Sequence, residues 1–417
     1  MAQATKRRTL SNGDITYTLR VANGRLKSGK TKYSKKSFTV SKDLSESKIK
    51  KLLEEETFKF ELEIKRGRCT NGVVFFKEYT NNWLYIKKQS NLAPMTILDY
   101  ERTVNRLIDC FGQYRIDEIT MIMIVKFLNN LRSKGANKNN PNKGLSEKTI
   151  KNVYDVLYNI FDCAIDDDIL YKNPLKAKHF PKPKPVKKDI VFLDEQDITK
   201  LANALYTDKV NLKYQCMSRI ALGTGARIGE IQALEWNDIN FKTGFISINK
   251  TIQRISSIGT IEKPPKTKNS IRIVQVGKDV LDLLIELKKE QEETKNKLKD
   301  LWLENIVLYN EKGNQFIKEN DKIFTQWNGK PIYNGTFGSW LKKFTMKHNL
   351  KPYTPHSFRH TFATLSLEEQ QPINAISKTL GHSNITTTSN IYIKTTDKSK
   401  EVLSIVMSEK LKDIFEN

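Results

Sequence analysis

The chain has 417 residues, with 71 Lys or Arg against 47 Asp or Glu, so its net charge is 71 − 47 = +24, and its length predicts two to four domains. A hydrophobic fraction of 38% argues against a mainly disordered chain, and four scattered cysteines without a CxxC pair argue against a zinc ribbon or a disulfide scaffold. Because we find no signal peptide and no run near the ~20 apolar residues of a membrane span, we expect a cytosolic protein without a membrane partner.

The first segment, to about residue 66, is predicted to form two strands and a helix. Residues 15–21 alternate apolar and polar, Asn23-Gly24 indicates a turn, and a second strand leads to Val40. A helix then extends to about Ile64. The first 70 residues hold 18 Lys or Arg and 8 Asp or Glu, a balance of +10. The strand face of this β-β-α unit therefore either reads DNA or only keeps the protein soluble.

The second segment, 73–172, is predicted to be all-helical and basic, so it either clamps DNA or binds another protein. Its expected helices cover 74–88, 95–111, 119–133 and 146–167. Residues 173–189 follow, and there Pro181, Pro183 and Pro185 alternate with lysines. Proline continues neither a helix nor a sheet interior, so this stretch is predicted to be an extended linker.

The third segment, 190–417, is predicted to be mixed, with a strand-rich patch at 244–276. Its expected helices lie near 195–207, 213–223, 228–235, 278–301, 335–348, 357–369 and 372–380. The fold class that follows is α+β and multidomain. It combines a small β-β-α domain, an all-helical domain, and a mostly helical domain with a small antiparallel sheet.

The charge of the chain predicts a polyanionic partner, and nucleic acid is the first candidate because phosphate contacts supply most of such binding. The alternative is a protein that is basic without a polyanionic ligand. Charge alone does not separate an enzyme that acts on DNA from a protein that packages it.

Four motifs in the third segment carry side chains suited to phosphoryl chemistry. They are GTGARIGEIQALEW (223–236), PPKTKNSIRIVQV (264–276), TPHSFRHTFAT (354–364) and LGHSNITTTSNIY (380–392). The first places Arg227 at the start of a predicted helix, where backbone amides also favour a phosphate. Each motif alone is ordinary, and HSFRH lacks the glutamate of a metalloprotease HExxH helix, so no metal site is expected. Their order and spacing carry the information.

Taken together, these side chains match what phosphodiester transfer requires. Two arginines clamp the non-bridging oxygens, and a tyrosine attacks phosphorus and holds it covalently. A histidine takes the tyrosine proton, and a lysine protonates the leaving oxygen. No cluster of Asp and Glu suited to two-metal chemistry accompanies them, so we expect a reaction without metal or other cofactor.

This set resembles the tyrosine recombinases of the phage integrase family, whose signature is an Arg in a TGxRxxE context, a β-hairpin Lys, an HxxR box, an LGH box and a Tyr close behind. The resemblance covers roughly 190–400. It implies that Arg227 and Arg359 bind the scissile phosphate, with Glu230 in a supporting role. It implies further that His356 acts as acid or base and that His382 donates a hydrogen bond to a phosphate oxygen.

The resemblance also implies the nucleophile and the general acid. Tyr392, ten residues after His382, would form a 3′-phosphotyrosine. Lys266 would protonate the 5′ leaving oxygen, although Lys268 lies in the same stretch and is the alternative. Tyr353 lies before the HxxR box and does not fit the nucleophile position.

The rest of the chain fits the same family. Residues 73–172 resemble its helical, SAM-like core-binding domain, and residues 1–66 resemble the arm-type DNA-binding domain of mobile-element integrases. The implied partners are double-stranded DNA at core and arm sites, further copies of the chain in a tetramer on DNA, and an excisionase or a host DNA-bending protein. The predicted helix 397–417 would dock on a neighbouring protomer or on its own domain. The implied location is the cytoplasm or nucleoid of a bacterial host.

The implied function is site-specific recombination that integrates, and also excises, a mobile element. Three alternatives remain: a non-catalytic DNA-binding relative, a chromosome-dimer resolvase and a type IB topoisomerase. The complete set of candidate residues disfavours the first, and residues 1–66 disfavour the second because such resolvases usually lack an arm-type domain. DNA relaxation without site preference would identify the third.

Overall fold

The computed structural model describes residues 3–11, 13–25, 31–65, 74–137, 140–186, 191–264, 270–382, 384 and 389. The chain divides into two compact units, Met1–Lys187 and Lys188–Asn417. No helix within these described ranges has the length and apolar character needed to cross a membrane. The α+β, multidomain class predicted from the sequence is confirmed.

The first unit combines a small sheet with a set of helices. Its elements are β1 (Gln3–Thr9), β2 (Ile15–Arg25), β3 (Thr31–Val40), α1 (Glu46–Lys65), α2 (Phe76–Gln89), α3 (Pro94–Phe111), α4 (Met121–Arg132) and α5 (Glu147–Asp166).

The N-terminal sheet has the antiparallel order β1-β2-β3. Leu19 and Val21 of β2 are buried against Phe60 and Ile64 of α1, because alternate residues of a strand face the same side. The prediction of a β-β-α unit missed β1, so the unit is β-β-β-α. The prediction of a turn at Asn23-Gly24 was also wrong, because β2 runs through these residues with a register irregularity after Ala22.

Helices α2 to α5 match the predicted all-helical segment within two residues at each end. Thr120 and Ser146 cap α4 and α5 by accepting hydrogen bonds from the backbone N–H groups of Met123 and Thr149. The aromatic core includes Phe76, which lies against Phe111 and Phe161. The predicted linker begins later than expected, because Leu175 and Phe180 are buried in this helical core. Only 181–186 of its described residues lie beyond Phe180 and lack regular structure.

The second unit is mostly helical, with two small sheets. Its elements are α6 (Glu195–Thr207), α7 (Leu212–Thr224), α8 (Ile228–Ile231), β4 (Ile239–Asn240), β5 (Phe245–Ile248), β6 (Thr251–Ile255), β7 (Gly259–Lys263), β8 (Arg272–Gln275), α9 (Lys278–Leu298), β9 (Asn305–Tyr309), β10 (Gln315–Glu319), α10 (Asn334–Lys347), α11 (Pro355–Glu368) and α12 (Ile373–Leu380).

The strands of this unit differ from the prediction in number and pairing. The described part of this unit has two sheets, with the strand orders β10-β9-β7-β6 and β4-β5-β8, whereas the sequence analysis predicted one. The prediction missed β9 and β10, and β7 pairs with β9 in parallel through Ile261 and Tyr309. The 264–276 motif was predicted as strand-turn-strand. Residues 265–269 of this motif lie outside the described residues. Its described part contains β8, which pairs with β5, whereas β7, just before the motif, pairs with β6 and β9.

The helix predicted over 228–235 is a single turn, α8. Its continuation is replaced by pairing with a distant segment: the Trp236 N–H donates to the Asp321 carbonyl at 3.0 Å, and the Ile323 N–H donates to the Leu234 carbonyl at 3.1 Å. Tertiary hydrogen bonds therefore override the local helical pattern.

Candidate active site

Arg227 follows a sharp turn at the end of α7. Gly225 has φ +63°, a left-handed conformation that glycine adopts without a Cβ penalty. A Cβ at this position would lie 2.5 Å from the Leu380 side chain and 2.8 Å from that of Phe362. The glycine therefore allows the turn before Arg227 to pack directly on α11 and α12.

Glu230 is a buried carboxylate shared by two arginines. Its oxygens accept hydrogen bonds from the Arg227 side chain and backbone N–H, both at 2.9 Å, and from the Arg272 guanidinium at 2.8 Å. The side chain of Arg227 is 43% exposed, whereas those of Glu230 and Arg272 are 3% and 6% exposed. Glu230 therefore holds the accessible Arg227 guanidinium in place from its buried side. Because α8 is only one turn long, its dipole contributes little. The attraction of a phosphate to this position must therefore come mainly from Arg227.

Arg359 connects two of the other motifs. Helix α11 begins after Thr354, whose hydroxyl accepts from the Ser357 backbone N–H. One turn into the helix, the Arg359 guanidinium donates to the Gly225 and Leu380 carbonyls, each at 2.7 Å. The residue is 2% exposed. Two of its five N–H groups therefore tie the Arg227 turn to the end of α12.

His382 directly follows the C-terminus of α12. Gly381 has φ +67° and ends the helix, and the His382 backbone N–H donates to the Ser377 carbonyl at 3.0 Å. The Ser270 hydroxyl donates to the Gly381 carbonyl at 3.2 Å. The second of these contacts connects the LGH box to Ser270, which follows the stretch that contains Lys266 and Lys268.

The site carries an excess of positive charge. Burial, and then the charges of Arg227 and Arg272, lower the pKa of the Arg359 guanidinium to about 9, although Glu230 opposes this effect. Burial of Glu230 would raise its pKa, but hydrogen bonds and charge from Arg272, with Arg227 adding to them, hold the pKa below its usual value. Among the described groups that affect the pKa of Arg359, Arg227 and Arg272 carry positive charge and Glu230 alone carries negative charge.

Burial and nearby arginines lower the pKa of both histidines of the site, which favours their neutral forms. Burial, followed by Arg359 and Arg227, lowers the pKa of His356. Burial and the same two arginines lower the pKa of His382 to about 4. A neutral imidazole can accept a proton, and it can also donate a hydrogen bond through its N–H.

His360, the second histidine of the HSFRH stretch, is a site neighbour to which the sequence analysis assigned no role. Its ring centroid lies 4.4 Å from that of His356 in an edge-on arrangement. Its Nδ1 is buried and has no hydrogen-bond partner among the residues that the structure describes. Burial, and then His356 and Arg359, lower its pKa to about 4. Its position four residues after His356 on one helix face was the available signal.

Four of the six predicted catalytic residues are described, and contacts or mutual charge effects connect them: Arg227, His356, Arg359 and His382. Lys266, its alternative Lys268 and Tyr392 lie outside the described residues, as does the predicted helix 397–417. Within the described ranges, no group of three His, Cys, Asp or Glu side chains could hold a metal ion.

The low pKa of His360 predicts how stability depends on pH. Between pH 6.5 and 4, the unfolded chain binds a proton at this residue that the folded chain does not, so acidification destabilises the fold. We expect His360→Gln to make the pH slope of the unfolding free energy shallower by up to about 1.4 kcal/mol per pH unit. Urea denaturation of both proteins across this pH range measures the slopes. Identical slopes would contradict the burial of a neutral imidazole.

Comparison with known proteins identifies two matching family models. The phage integrase family model matches residues 191–399. The model of the phage integrase N-terminal SAM-like domain matches residues 75–132.

Two relatives illustrate the extent of the similarity. A "Tyrosine recombinase XerC-like" protein of Caldanaerobacter subterraneus subsp. tengcongensis is 29% identical over 400 residues, covering 90% of this chain and 95% of that protein. The ICEBs1 integrase of Bacillus subtilis is 30% identical over 274 residues, covering 65% of this chain and 67% of the integrase.

Solved structures share the fold. The Tn1549 transposon integrase, in complex with transposon right end DNA, superposes with a TM-score of 0.62 at 25% identity, covering 79% of this chain and all of that one. A lambda integrase dimer bound to a COC′ core site gives a TM-score of 0.53 at 17% identity, covering 92% of this chain and 93% of that one. At this lower identity the likeness shows the fold alone.

Proposed function

Because the chain belongs to the phage integrase family and is therefore a tyrosine recombinase, a site-specific DNA recombinase that acts by transesterification, we propose that it integrates and excises a mobile element. Its substrate would be duplex DNA, and its reaction would pass through a 3′-phosphotyrosine. The relationship to integrases of a transposon and of ICEBs1 supports an integrase role, and residues 1–66, a segment that chromosome-dimer resolvases usually lack, favour this choice over such a resolvase.

The observation that carries the proposal is the unbalanced charge around Arg359. Burial is the main cause of the lowered pKa of the Arg359 guanidinium, about 9, and repulsion by the neighbouring charge of Arg227 adds to it. A phosphate anion between Arg227 and Arg359 would relieve this repulsion by accepting charge-assisted hydrogen bonds. The same contacts would become stronger as negative charge develops on the non-bridging oxygens of the pentacoordinate transition state, which is how such a site accelerates transfer.

The residues of the four motifs fit one balanced reaction. The Tyr392 oxygen attacks phosphorus and passes its proton to neutral His356, while the bond from phosphorus to the 5′ oxygen breaks. Lys266 donates a proton to that leaving oxygen. His382 donates a hydrogen bond to a non-bridging oxygen. Attack by the 5′ hydroxyl of another strand reverses these steps and rejoins the DNA.

The two parts of the first unit would hold different stretches of DNA. On the exposed face of the N-terminal sheet, Arg20 is paired across strands with Lys35, and its guanidinium lies 3.7 Å from the ring centroid of Tyr33. Such a face suits phosphate contacts and an arm site. In the helical part, a groove between α3 and α5 is lined by polar side chains that include Arg102 and Arg106. We assign this groove to the core site.

Recombination joins four DNA ends, so we propose that the chain acts as a homo-oligomer, a tetramer on DNA. Lambda integrase, which shares the fold, is a dimer on a COC′ core site, and this supports binding of more than one copy to DNA. An excisionase or a host DNA-bending protein would set the direction of the reaction. If the substrate is host DNA as proposed, the reaction takes place in the cytoplasm or nucleoid of a bacterial host.

The proposal predicts a circular DNA product in cells. Sequencing the DNA that flanks the gene would identify attachment-site repeats, and expressing the chain from a plasmid should yield a junction that joins the two element ends. We expect the variant lacking residues 1–66 to retain cleavage of a short core duplex but to lose at least about tenfold in integration, because it cannot contact arm sites. Amplification across the junction and a core-cleavage assay measure the two activities.

Two results would contradict these assignments. Unchanged integration by the shortened chain would remove the arm-site role. Absence of any junction, together with DNA relaxation that needs no particular site, would identify the chain as a topoisomerase and not as an integrase.

A further inference from the structure

A buried arginine outside the predicted catalytic set pairs with the carboxylate of Glu230. Arg272, on β8, donates to a Glu230 oxygen at 2.8 Å and to the Ser270 carbonyl at 3.0 Å. The side chain of Arg272 is 6% exposed and that of Glu230 is 3% exposed. A guanidinium buried this deeply does not reach a DNA backbone at the surface. Any effect of Arg272 on the reaction must therefore pass through its neighbours.

Glu230 accepts hydrogen bonds from two arginines with different oxygens. Its Oε1 accepts from the Arg227 guanidinium, whereas its Oε2 accepts from the Arg272 guanidinium and from the Arg227 backbone N–H. Within the described part of the chain, these two arginines are its only ion-pair partners. Arg227 is the partly exposed member of the group, so it is the one that a ligand can contact.

The charge balance of the site depends on Arg272. The guanidiniums of Arg227, Arg272 and Arg359 face the single carboxylate of Glu230, which leaves two positive charges in excess among these four side chains. Without Arg272, the only remaining ion-pair partner of Glu230 would be Arg227. The carboxylate would then compete with a phosphate for the Arg227 N–H groups, because both anions accept charge-assisted hydrogen bonds.

The charge of Arg272 also acts on other residues of the site. Burial is the first cause of the lowered pKa of Arg359, and the charges of Arg227 and Arg272 add to it. Burial is likewise the first cause of the lowered pKa of His382, and Arg272 is among the cations that add to it. Arg272 therefore contributes to the positive potential at the site without being exposed to a ligand.

We propose that Arg272 is a positioning residue for Arg227: by compensating the buried charge of Glu230, it leaves the Arg227 guanidinium free to bind the scissile phosphate. This inference rests on the proposed function, which gives Arg227 and Arg359 a phosphate ligand. Glu230 then orients Arg227 without cancelling its charge. Because negative charge develops on the non-bridging oxygens in the transition state, the effect falls mainly on the cleavage rate.

A neutral scissile phosphate separates a loss of positive charge from damage to the fold. In this DNA a methyl group replaces one non-bridging oxygen, so that the scissile group, a methylphosphonate, carries no negative charge. A variant that lacks only positive charge is slowed less on this substrate than on natural DNA. The measurement is the ratio of single-turnover cleavage rates on methylphosphonate and natural DNA, both from one preparation of the full chain. This ratio does not depend on how much of a variant is folded.

Arg272→Gln should slow cleavage of natural DNA and raise the ratio, each by about tenfold or more. The effect should stay below the roughly 10²–10³-fold that loss of a direct donor costs. Arg272→Lys retains the charge and should keep the ratio within about threefold of the wild-type value. Arg227→Gln removes a cation that contacts the phosphate and should also raise the ratio. If Arg272→Gln does not fold, Arg272→Met fills the same buried space without a charge and carries the same expectations.

A second substitution tests whether the effect passes through Glu230. Combining Arg272→Gln with Glu230→Gln removes one charge of each sign, so no carboxylate remains to compensate Arg227. We expect the double variant to cleave natural DNA at least about tenfold faster than Arg272→Gln alone, which is a non-additive result. Independent packing defects at the two positions would instead make the double variant slower than either single variant.

Arg219→Gln is the matched control, because Arg219 forms an exposed ion pair with Asp279 at 3.0 Å. It should cleave both substrates within about twofold of the wild-type rates.

The outcomes separate this inference from the proposed function. A wild-type ratio for Arg272→Gln or Arg272→Met, alongside a raised ratio for Arg227→Gln, would overturn only the role of Arg272. A raised ratio for Arg272→Gln with additive losses in the double variant would show that its charge does not act through Glu230, and would also overturn that role. A wild-type ratio for Arg227→Gln would refute the phosphate ligand that the proposed function gives this site, and the inference with it.

Discussion

Tyr392→Phe is expected to abolish the covalent protein–DNA adduct and to lower strand cleavage by at least about 10⁴-fold, because a phenyl ring has no oxygen to attack phosphorus. The rest of the phosphate site keeps its charges, so the Kd for a core duplex should change by no more than about twofold. Denaturing gels of a nicked substrate that traps the adduct, together with filter binding, measure the two quantities.

Tyr353→Phe provides the matched control for this prediction. Tyr353 is buried at 3% exposure before α11, and burial followed by the nearby Asp197 raises its pKa, which makes its phenolate hard to form. The control variant should retain the adduct. Loss of the adduct in Tyr353→Phe with retention in Tyr392→Phe would show that the nucleophile has been misassigned.

Lys266→Ala has the second largest expected effect, a loss of about 10²–10⁴-fold in cleavage rate, which is the usual contribution of a general acid. The reason is that the 5′ oxygen would have to leave without a proton. Binding should weaken only slightly, because one positive charge among many is removed. Single-turnover cleavage at saturating enzyme separates the chemical step from binding.

Lys268→Ala is the charge-matched control, since it removes the same charge two residues away. We expect it to cleave within about threefold of the wild-type rate, an effect of similar size to that of an exposed phosphate contact. Equal losses in the two variants would mean that the stretch that contains Lys266 and Lys268 contributes charge rather than a specific proton donor. A larger loss in Lys268→Ala would transfer the acid role to Lys268.

The helices could be predicted from the sequence because their signals are local. Apolar periodicity and capping residues predicted α6 over 195–207 as observed, and α5 within one residue. The failures occur where distant segments pair. The expected helix over 228–235 stops early because residues 234–236 hydrogen-bond to 321–323. Strands β9 and β10 had a usable signal, a turn containing Gly313 between two runs with apolar residues.

The site could be predicted as a set of residues but not as a network. Order and spacing singled out Arg227 and Arg359. Nothing local indicates that Arg359 also binds two backbone carbonyls, because these contacts span 134 and 21 residues. Lys322 and Arg272 look like solvated charges in the sequence. Their burial follows from partners 60 and 42 residues away, Glu262 and Glu230, which only the folded chain brings near them.

The central claim is that Tyr392 becomes covalently linked to DNA at the site that contains Arg227 and Arg359. The direct test is to trap the adduct on a nicked core duplex, digest it with protease and nuclease, and locate the linked residue by mass spectrometry. The account predicts a single modified peptide, with the 3′ phosphate esterified to the hydroxyl of Tyr392. Attachment at another residue, or to the 5′ side of the break, would contradict it.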